Sequence, residues 1–369
     1  MAYFCKYCFG AGKRLESLFE SLGGGDADRI VRLVFFTDAD NNSLYHAQQQ
    51  ELQRLVETHF GKQPPVWSLV AEKPLFDGEV AVEVHCRSDR DGETYRYKQL
   101  DGTSYITVET AGLKELFVSV GGPDTALDSF TRAKKVFGTI GAVLAAENME
   151  VHSILRQWNY VERITHRSGD YQNYQALNDA RTEFYAGSSW PSGYPAATGI
   201  GVAAGGIHVD LNAATGVEAI PVDNPFQIAA HSYSSRVIVG EGSELKSTPK
   251  FERAKRVLYR DIPLEYISGT AAIRGEETLA DAAIGAQTLA TIENMRALMP
   301  PGYAMRSARV YVKHEREAAE VKAIVERELP GVDLIFVVAD ICRPELKVEI
   351  EALVIEKNTP TKKNSNPTP

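Results

Sequence analysis

The sequence predicts an α+β protein made of three related units in one chain. Three observations carry that prediction. Short apolar alternations of strand period are separated by stretches of helical period. An order of strand, long helix, strand, helix and closing strands occurs in the middle and the last third of the chain. It returns at the start in reduced form, without a clear long helix. The segment from Val70 to Val84 also parallels that from Val338 to Ile350. Such self-similarity describes architecture, not chemistry. Three units in one chain suggest a pseudo-trimeric arrangement, internalising what a homotrimer does with separate chains.

The 369 residues give room for several cores, and 44% hydrophobic with 24% charged residues is ordinary for a globular protein. A net charge of −9 and a pI near 5.5 argue against nucleic acid or an anionic membrane as partner. They leave room for a local basic pocket that binds a small anion. No apolar run approaches the length of a membrane span, and Met1-Ala-Tyr-Phe-Cys5 does not open a signal peptide. A cytoplasmic protein is expected. Four cysteines, Cys5, Cys8, Cys86 and Cys342, are too few for a disulfide scaffold. Cys5 and Cys8 have the spacing of half a zinc site, but no second pair completes it, so no metal is expected.

In chain order, residues 1–104 read as a degenerate first unit. Helical pattern 13–22 is followed by strand 30–36, helix 44–60, strand 66–70 and strand 79–85. Asp91-Gly92 and Asp101-Gly102 are hairpin turn signals in a polar stretch. Residues 105–222 form the central unit. Strands about 105–109 and 116–120 precede a long helix, 126–148, with Phe130, Ala133, Val136, Phe137, Ile140, Val143 and Leu144 on one side. Strand 153–161, helix 171–185 and strands about 202 and 206–211 complete it. Residues 223–357 form the third unit: strands about 234–239 and 264–268, helix 279–298, strand 307–313, helix 315–329 and strand 333–339. A hairpin is then expected to turn through Arg343-Pro344. Its return strand puts Leu346, Val348, Ile350 and Ala352 on one face, and Lys347, Glu349 and Glu351 on the other. Residues 358–369 read as a disordered tail.

Specific residues carry a resemblance. Ile267-Ser-Gly269, the stretch from Asp281 through Gln287 to Asn294, and Val348 to Ala352 resemble the RidA/YjgF fold family. That family forms trimers with sites in the clefts between subunits. Its imine-hydrolysing members carry a strand arginine where this chain has Asp333-Leu-Ile335 and Ala196-Ala-Thr198, so imine deamination is not expected. The whole chain is more similar to the chorismatases, a RidA-related group that acts on chorismate. The motifs are Arg156-Gln-Trp-Asn-Tyr160, Tyr174 through Tyr185, Tyr194 through Gly201, and Asp340 through Glu349. They span roughly residues 105–355.

The resemblance implies a small dianionic substrate, chorismate, in a monomer with an internal pseudo-threefold. Arginine suits carboxylates because its fork is planar and bidentate. Arg156, Arg163, Arg181 and Arg309 are the candidates, with Tyr160, Tyr185 and Tyr194 as hydrogen-bond donors. Arg156 and Arg181 read equally well as partners in structural ion pairs, and Arg309 aligns by repeat with Trp158. Cleaving an enol ether starts with protonation of its methylene carbon, by an acid still protonated near neutral pH. The resemblance places that role on Glu349; Glu351, on the same strand face, is either a rival or its buried partner. It also associates a cysteine at the Cys342 place with formation of 3-hydroxybenzoate, together with some 4-hydroxybenzoate, rather than a dihydrodiol. A thiolate favoured by nearby arginine would take the ring-hydroxyl proton; otherwise Cys342 is a small buried residue. No metal or organic cofactor is needed, since the proton supplies the electrophile. A chorismate hydrolase giving a dihydroxycyclohexadiene carboxylate and pyruvate, and a non-catalytic RidA-like small-ligand binder, are the alternatives.

Overall fold

The computed structural model describes residues 3–10, 12, 14–22, 28–88, 92–122, 126–168, 171–234, 237, 247–259 and 262–357. Three sheets of four, seven and six strands dominate it. Each contains the same four-strand order. In the first, Tyr3–Gly10, Val80–Ser88, Asp28–Phe36 and Val66–Val70 lie side by side. In the second the order is Leu113–Gly122, Ile207–Thr215, Ile154–Glu162 and Ala196–Val202; in the third, Ile262–Ala271, Val348–Glu356, Tyr303–Val312 and Asp333–Val338. In all three the first two pairings are antiparallel and the last is parallel. Parallel neighbours need a crossover, and helices Asn42–Phe60, Asn173–Tyr185 and Ala318–Glu328 supply it.

The register makes the repeat quantitative. Phe36/Ala81, Tyr160/His208 and Tyr311/Glu349 are equivalent strand pairs. One row on come Val34/Glu83, Trp158/Asp210 and Arg309/Glu351; the next holds Arg32/His85, Arg156/Asn212 and Ser307/Leu353. These residues face one another across the middle of the molecule, where three arginines link the sheets head to tail. Arg32 of the first sheet donates to Asn212 Oδ1 (2.6 Å) of the second. Arg156 of the second donates to Glu351 Oε2 (2.8 Å) of the third, and Arg309 of the third to Glu83 Oε2 (2.9 Å) of the first. All three arginines are buried. An uncompensated buried charge costs several kcal/mol, so each guanidinium fixes the interface it crosses.

The long helices sit on the outer faces. Ser129–Ala146 buries Ala133, Val136, Phe137, Ile140, Val143 and Leu144 against its sheet, the side its periodicity predicts. Its N-cap Asp128 accepts the Thr131 backbone N–H. In the first unit a six-residue helix, Glu16–Ser21, stands where the others have a long one. The Asp101-Gly102 signal is a tight hairpin turn between Thr94–Leu100 and Thr103–Thr110, with φ of 46° and 82° at its two residues. Among the described residues, no helix is long and apolar enough to cross a membrane.

Several expectations need correction. Strand Tyr3–Gly10 was not anticipated, nor was Ala254–Tyr259. Ser234 and Val237 belong to no strand, and the rest of 234–239 lies outside the described residues, as does the tail 358–369. The expected closing hairpin is not one. Asp333–Val338 pairs in parallel with Tyr303–Val312, and Asp340-Ile341 crosses to the central sheet to pair with Ile200-Gly201. The turn at Arg343-Pro344 therefore joins two sheets, and that crossing carries Cys342 to the interface between units.

Candidate active site

A cleft enclosing about 740 Å³, part of it open to solvent, lies between the central and third units. Ala197 and Gly199 come from strand Ala196–Val202 of the central sheet, and Gly269, Ala271 and Glu349 from the third. Cys342, Arg343 and Leu346 come from the crossing segment. Tyr174, Gln175 and Asn178 descend from helix Asn173–Tyr185; Tyr233, Phe251 and Arg253 close the far side.

Glu349 and Cys342, singled out from sequence, thus share one cleft. Strand alternation turns Glu349 inward with Glu351. A side chain at Gly269 would put its Cβ 2.1 Å from Glu349 Oε1, so glycine is what lets the carboxyl lie against the backbone. Among the described residues nothing hydrogen-bonds that carboxyl. Burial and the neighbouring Glu351 raise its pKa to about 8, against the opposing pull of Arg156 and Arg253.

Glu351 is held quite differently. Its Oε2 accepts from Arg156 Nη2 at 2.8 Å and from the Thr198 hydroxyl; its Oε1 accepts from Trp158 Nε1 at 2.8 Å. Arg309 Nε stands 3.6 Å away. The two glutamates differ in environment: three donors fix Glu351, and none among the described residues meets Glu349.

Cys342 departs from expectation. Burial and Glu349 push its thiol up to about 12, and Arg343 opposes them without prevailing. The site holds a neutral thiol, not the thiolate that a nearby arginine was expected to favour.

The anticipated binding residues divide. Arg156 and Arg309 lie in the interior, committed to Glu351 and Glu83, and Tyr160 Oη accepts from Arg309 Nη1 (2.8 Å). Arg163 is exposed, on a separate groove with Lys73, Lys313 and His314. Arg181 is buried behind the cleft wall, donating to Asn178 Oδ1 at 2.6 Å. Tyr185 donates to Gln157 Oε1 (2.8 Å) and stacks on Tyr194, beyond the lining.

Two lining arginines escaped the sequence reading. Arg253 is buried and donates to the Ile228 carbonyl (2.6 Å) and to Tyr233 Oη. Arg343 donates through Nη1 to the Glu276 carbonyl (2.8 Å) and to Thr278 Oγ1 (3.1 Å). The Tyr233 ring lies between them, 5.4 Å from one guanidinium carbon and 5.2 Å from the other. Arg343 stood inside a quoted motif; Arg253 had no sequence signal.

A second polar cluster involves Cys5, Glu83 and His85, whose ligand atoms lie within 4.8 Å of one another. Glu83 already carries Arg309 and meets His85 Nε2 at 2.6 Å, and its pKa is lowered to about 2 chiefly by Arg309, against the effect of burial. The cluster belongs to the central ring of arginine links.

Residues 94–213 match the family model described as "Chorismatase FkbO/Hyg5-like, N-terminal". A 3-hydroxybenzoate synthase of Streptomyces hygroscopicus is 27% identical over 57% of this chain and 65% of its own length. A chorismatase of Streptomyces rapamycinicus is 31% identical over 55% of this chain and 64% of its own. Each match thus spans less than two thirds of the relative's length. A crystal structure of chorismatase superposes over 96% of this chain and 98% of that one, with a TM-score of 0.72 at 21% identity. The fold is that of the chorismatase structure, with the four-strand order repeated in three sheets.

Proposed function

We propose, for a chain whose residues 94–213 match the FkbO/Hyg5-like chorismatase N-terminal family model, the conversion of chorismate to 3-hydroxybenzoate and pyruvate. The observation that carries it is one cleft lined by both Glu349 and Cys342, where burial pushes the pKa of each group upward.

Arg253 and Arg343 supply the fixed positive charge a dicarboxylate requires, and Tyr174, Gln175 and Asn178 donors for its ring oxygens. Glu349 gives its proton to the methylene carbon of the enolpyruvyl ether, leaving a cation at the ether carbon. The neighbouring ring hydroxyl attacks the ring carbon that bears the ether. That bond breaks, pyruvate leaves with the ether oxygen as its keto oxygen, and a ring epoxide remains. With the thiol neutral, Cys342 acts as a relay: it takes the hydroxyl proton while passing its own to the new Glu349 carboxylate. Opening of the epoxide and loss of the ring proton give 3-hydroxybenzoate. Opening the other way gives some 4-hydroxybenzoate. No water is consumed, and Glu349 ends protonated.

The test is chorismate consumption by the purified protein, with pyruvate assayed and ring products separated. Pyruvate with 3-hydroxybenzoate is expected, falling about 10²–10⁴-fold in Glu349→Gln. Cys342→Ala is expected to keep pyruvate release and divert the ring to a dihydrodiol formed with water. Dihydrodiol from the unaltered protein would refute the cysteine's role. No pyruvate at all would refute the activity.

A further inference from the structure

Glu351 lines the interior rather than the cleft, and no step of the proposed reaction uses it. Its placement is nevertheless highly determined. Three donors from the central unit hold it: Arg156, Trp158 and Thr198. Thr198 has one hydroxyl proton, and it goes to Glu351. The same oxygen accepts from Arg156 Nη2 (2.7 Å) and from the backbone N–H of Gly269 (3.0 Å). Gly269 is the residue against which Glu349 Oε1 lies. Thr198 therefore ties the fixed carboxylate to the backbone beneath the acid.

The repeat shows this as a built device. Ser68 and Thr198 pair with Val34 and Trp158, equivalent positions in their sheets. Ser68 donates to Asp210 Oδ2 (2.8 Å), just as Thr198 donates to Glu351. Asp210 and Glu351 share a row, and a unit's carboxylate is in both cases gripped by a hydroxyl of the unit before it.

We propose that Glu351 is a positioning residue: tethered by Thr198, Trp158 and Arg156, it holds a permanent negative charge beside Glu349 and so keeps the proton on that acid between turnovers. The charged and titratable groups around Glu349 set the balance. Glu351 lies on its own strand, Arg156 on the central sheet, and Arg253 on the far wall. The crossing segment brings Cys342 and Arg343, helix Asn173–Tyr185 brings Tyr174, and the first unit brings the buried Glu72. Two of the three arginines pull the proton off; burial opposes them most, and Glu351 is the neighbouring charge that adds to it.

This rests on reading Glu349 as the acid, but its test needs no substrate. The Glu349 carboxyl would be titrated by infrared difference spectroscopy, its band identified by absence in Glu349→Gln. Glu351→Gln keeps the shape and removes the charge. Its midpoint is expected to fall by about one pH unit or more, a tenfold change in proton affinity. The alkaline limb of kcat/KM should move with it. Thr198→Val, which only loosens the tether, should shift the midpoint less and in the same direction; it also serves if Glu351→Gln fails to fold. An unchanged midpoint in folded protein overturns the inference. A shifted midpoint in a chain that releases no pyruvate from chorismate keeps the inference and sinks the proposed function.

Discussion

Two interfaces in this molecule are built alike and chemically opposed. At one, the third unit presents Glu349 and Glu351 to the central unit. At the other, the central unit presents His208 and Asp210, in the same rows, to the first. A glycine lies against each variable residue: Gly269 against Glu349 Oε1, and Gly121 with a Cβ position 2.9 Å from His208 Nδ1. A tethered carboxylate stands two residues on in both. In the second interface the acid's place is taken by a base that satisfies the carboxylate directly: His208 Nε2 lies 3.1 Å from Asp210 Oδ1 and 2.8 Å from Ser119 Oγ. Asp210 is pulled below the ordinary carboxylate range by His208 and Arg32 despite burial. In the first interface no described residue plays that part for Glu349, whose pKa burial and Glu351 push up. One scaffold yields a hydrogen-bonded histidine–carboxylate pair or a carboxyl without such a partner, according to which residue fills one position.

The sharpest test of that contrast is the pair of glycines. Gly269→Ala would drive a methyl into Glu349, and Thr198 Cγ2 at 3.0 Å blocks retreat on the other side. Pyruvate release should fall at least about tenfold, with stability lowered by about 1–3 kcal/mol. Gly121→Ala should cost stability alone. Equal losses of activity in both would erase the distinction.

A thermal or urea series against pH gives the next effect. Glu349 is protonated in the folded chain up to about pH 8, whereas an unfolded glutamate ionises near 4.5. Between those values the native state binds the extra proton. Its stabilising contribution is therefore full below 4.5 and is lost as pH rises toward 8, by about 1.4 kcal/mol per unit at most. Glu349→Gln should flatten that decline, gaining on the parent chain at alkaline pH. A parallel pair of curves would mean that Glu349 is ionised in the fold. The smallest effect is expected at His208→Asn, with kcat/KM for chorismate changed less than about twofold by a substitution outside the cleft.

Cys342 and Glu349 were singled out by the resemblance; the local alternation fixed only that Glu349 and Glu351 share a strand face, and the structure puts Cys342 and Glu349 on one cleft. The roles of the arginines were not legible, and Arg156 shows why. An inward arginine on a strand reads the same whether it awaits a substrate or a carboxylate, and its carboxylate here lies 195 residues away. Arg253 lies just before a strand, Ala254–Tyr259, that was itself hidden. Adjacent basic residues conceal the alternation there, although Lys255 is buried on three backbone carbonyls while Arg256 reaches outward to Glu265. The repeated units were visible from the order of elements. The crossing of Asp340-Ile341 was not, because which sheet edge a two-residue strand joins is decided by the edge strand Ala196–Val202, far away in sequence.

The arginine ring has a consequence for how such a protein can change. In a homotrimer every substitution is made three times, so an improvement at one cleft is imposed on all. Here the three equivalent places hold Glu349, His208 and Ala81. Joining the units freed each position to drift by itself. The head-to-tail arginines make exchange of units costly, since Arg32 meets an asparagine in the next unit where Arg156 and Arg309 meet glutamates. A unit moved to another's place would leave a buried guanidinium facing the wrong neighbour.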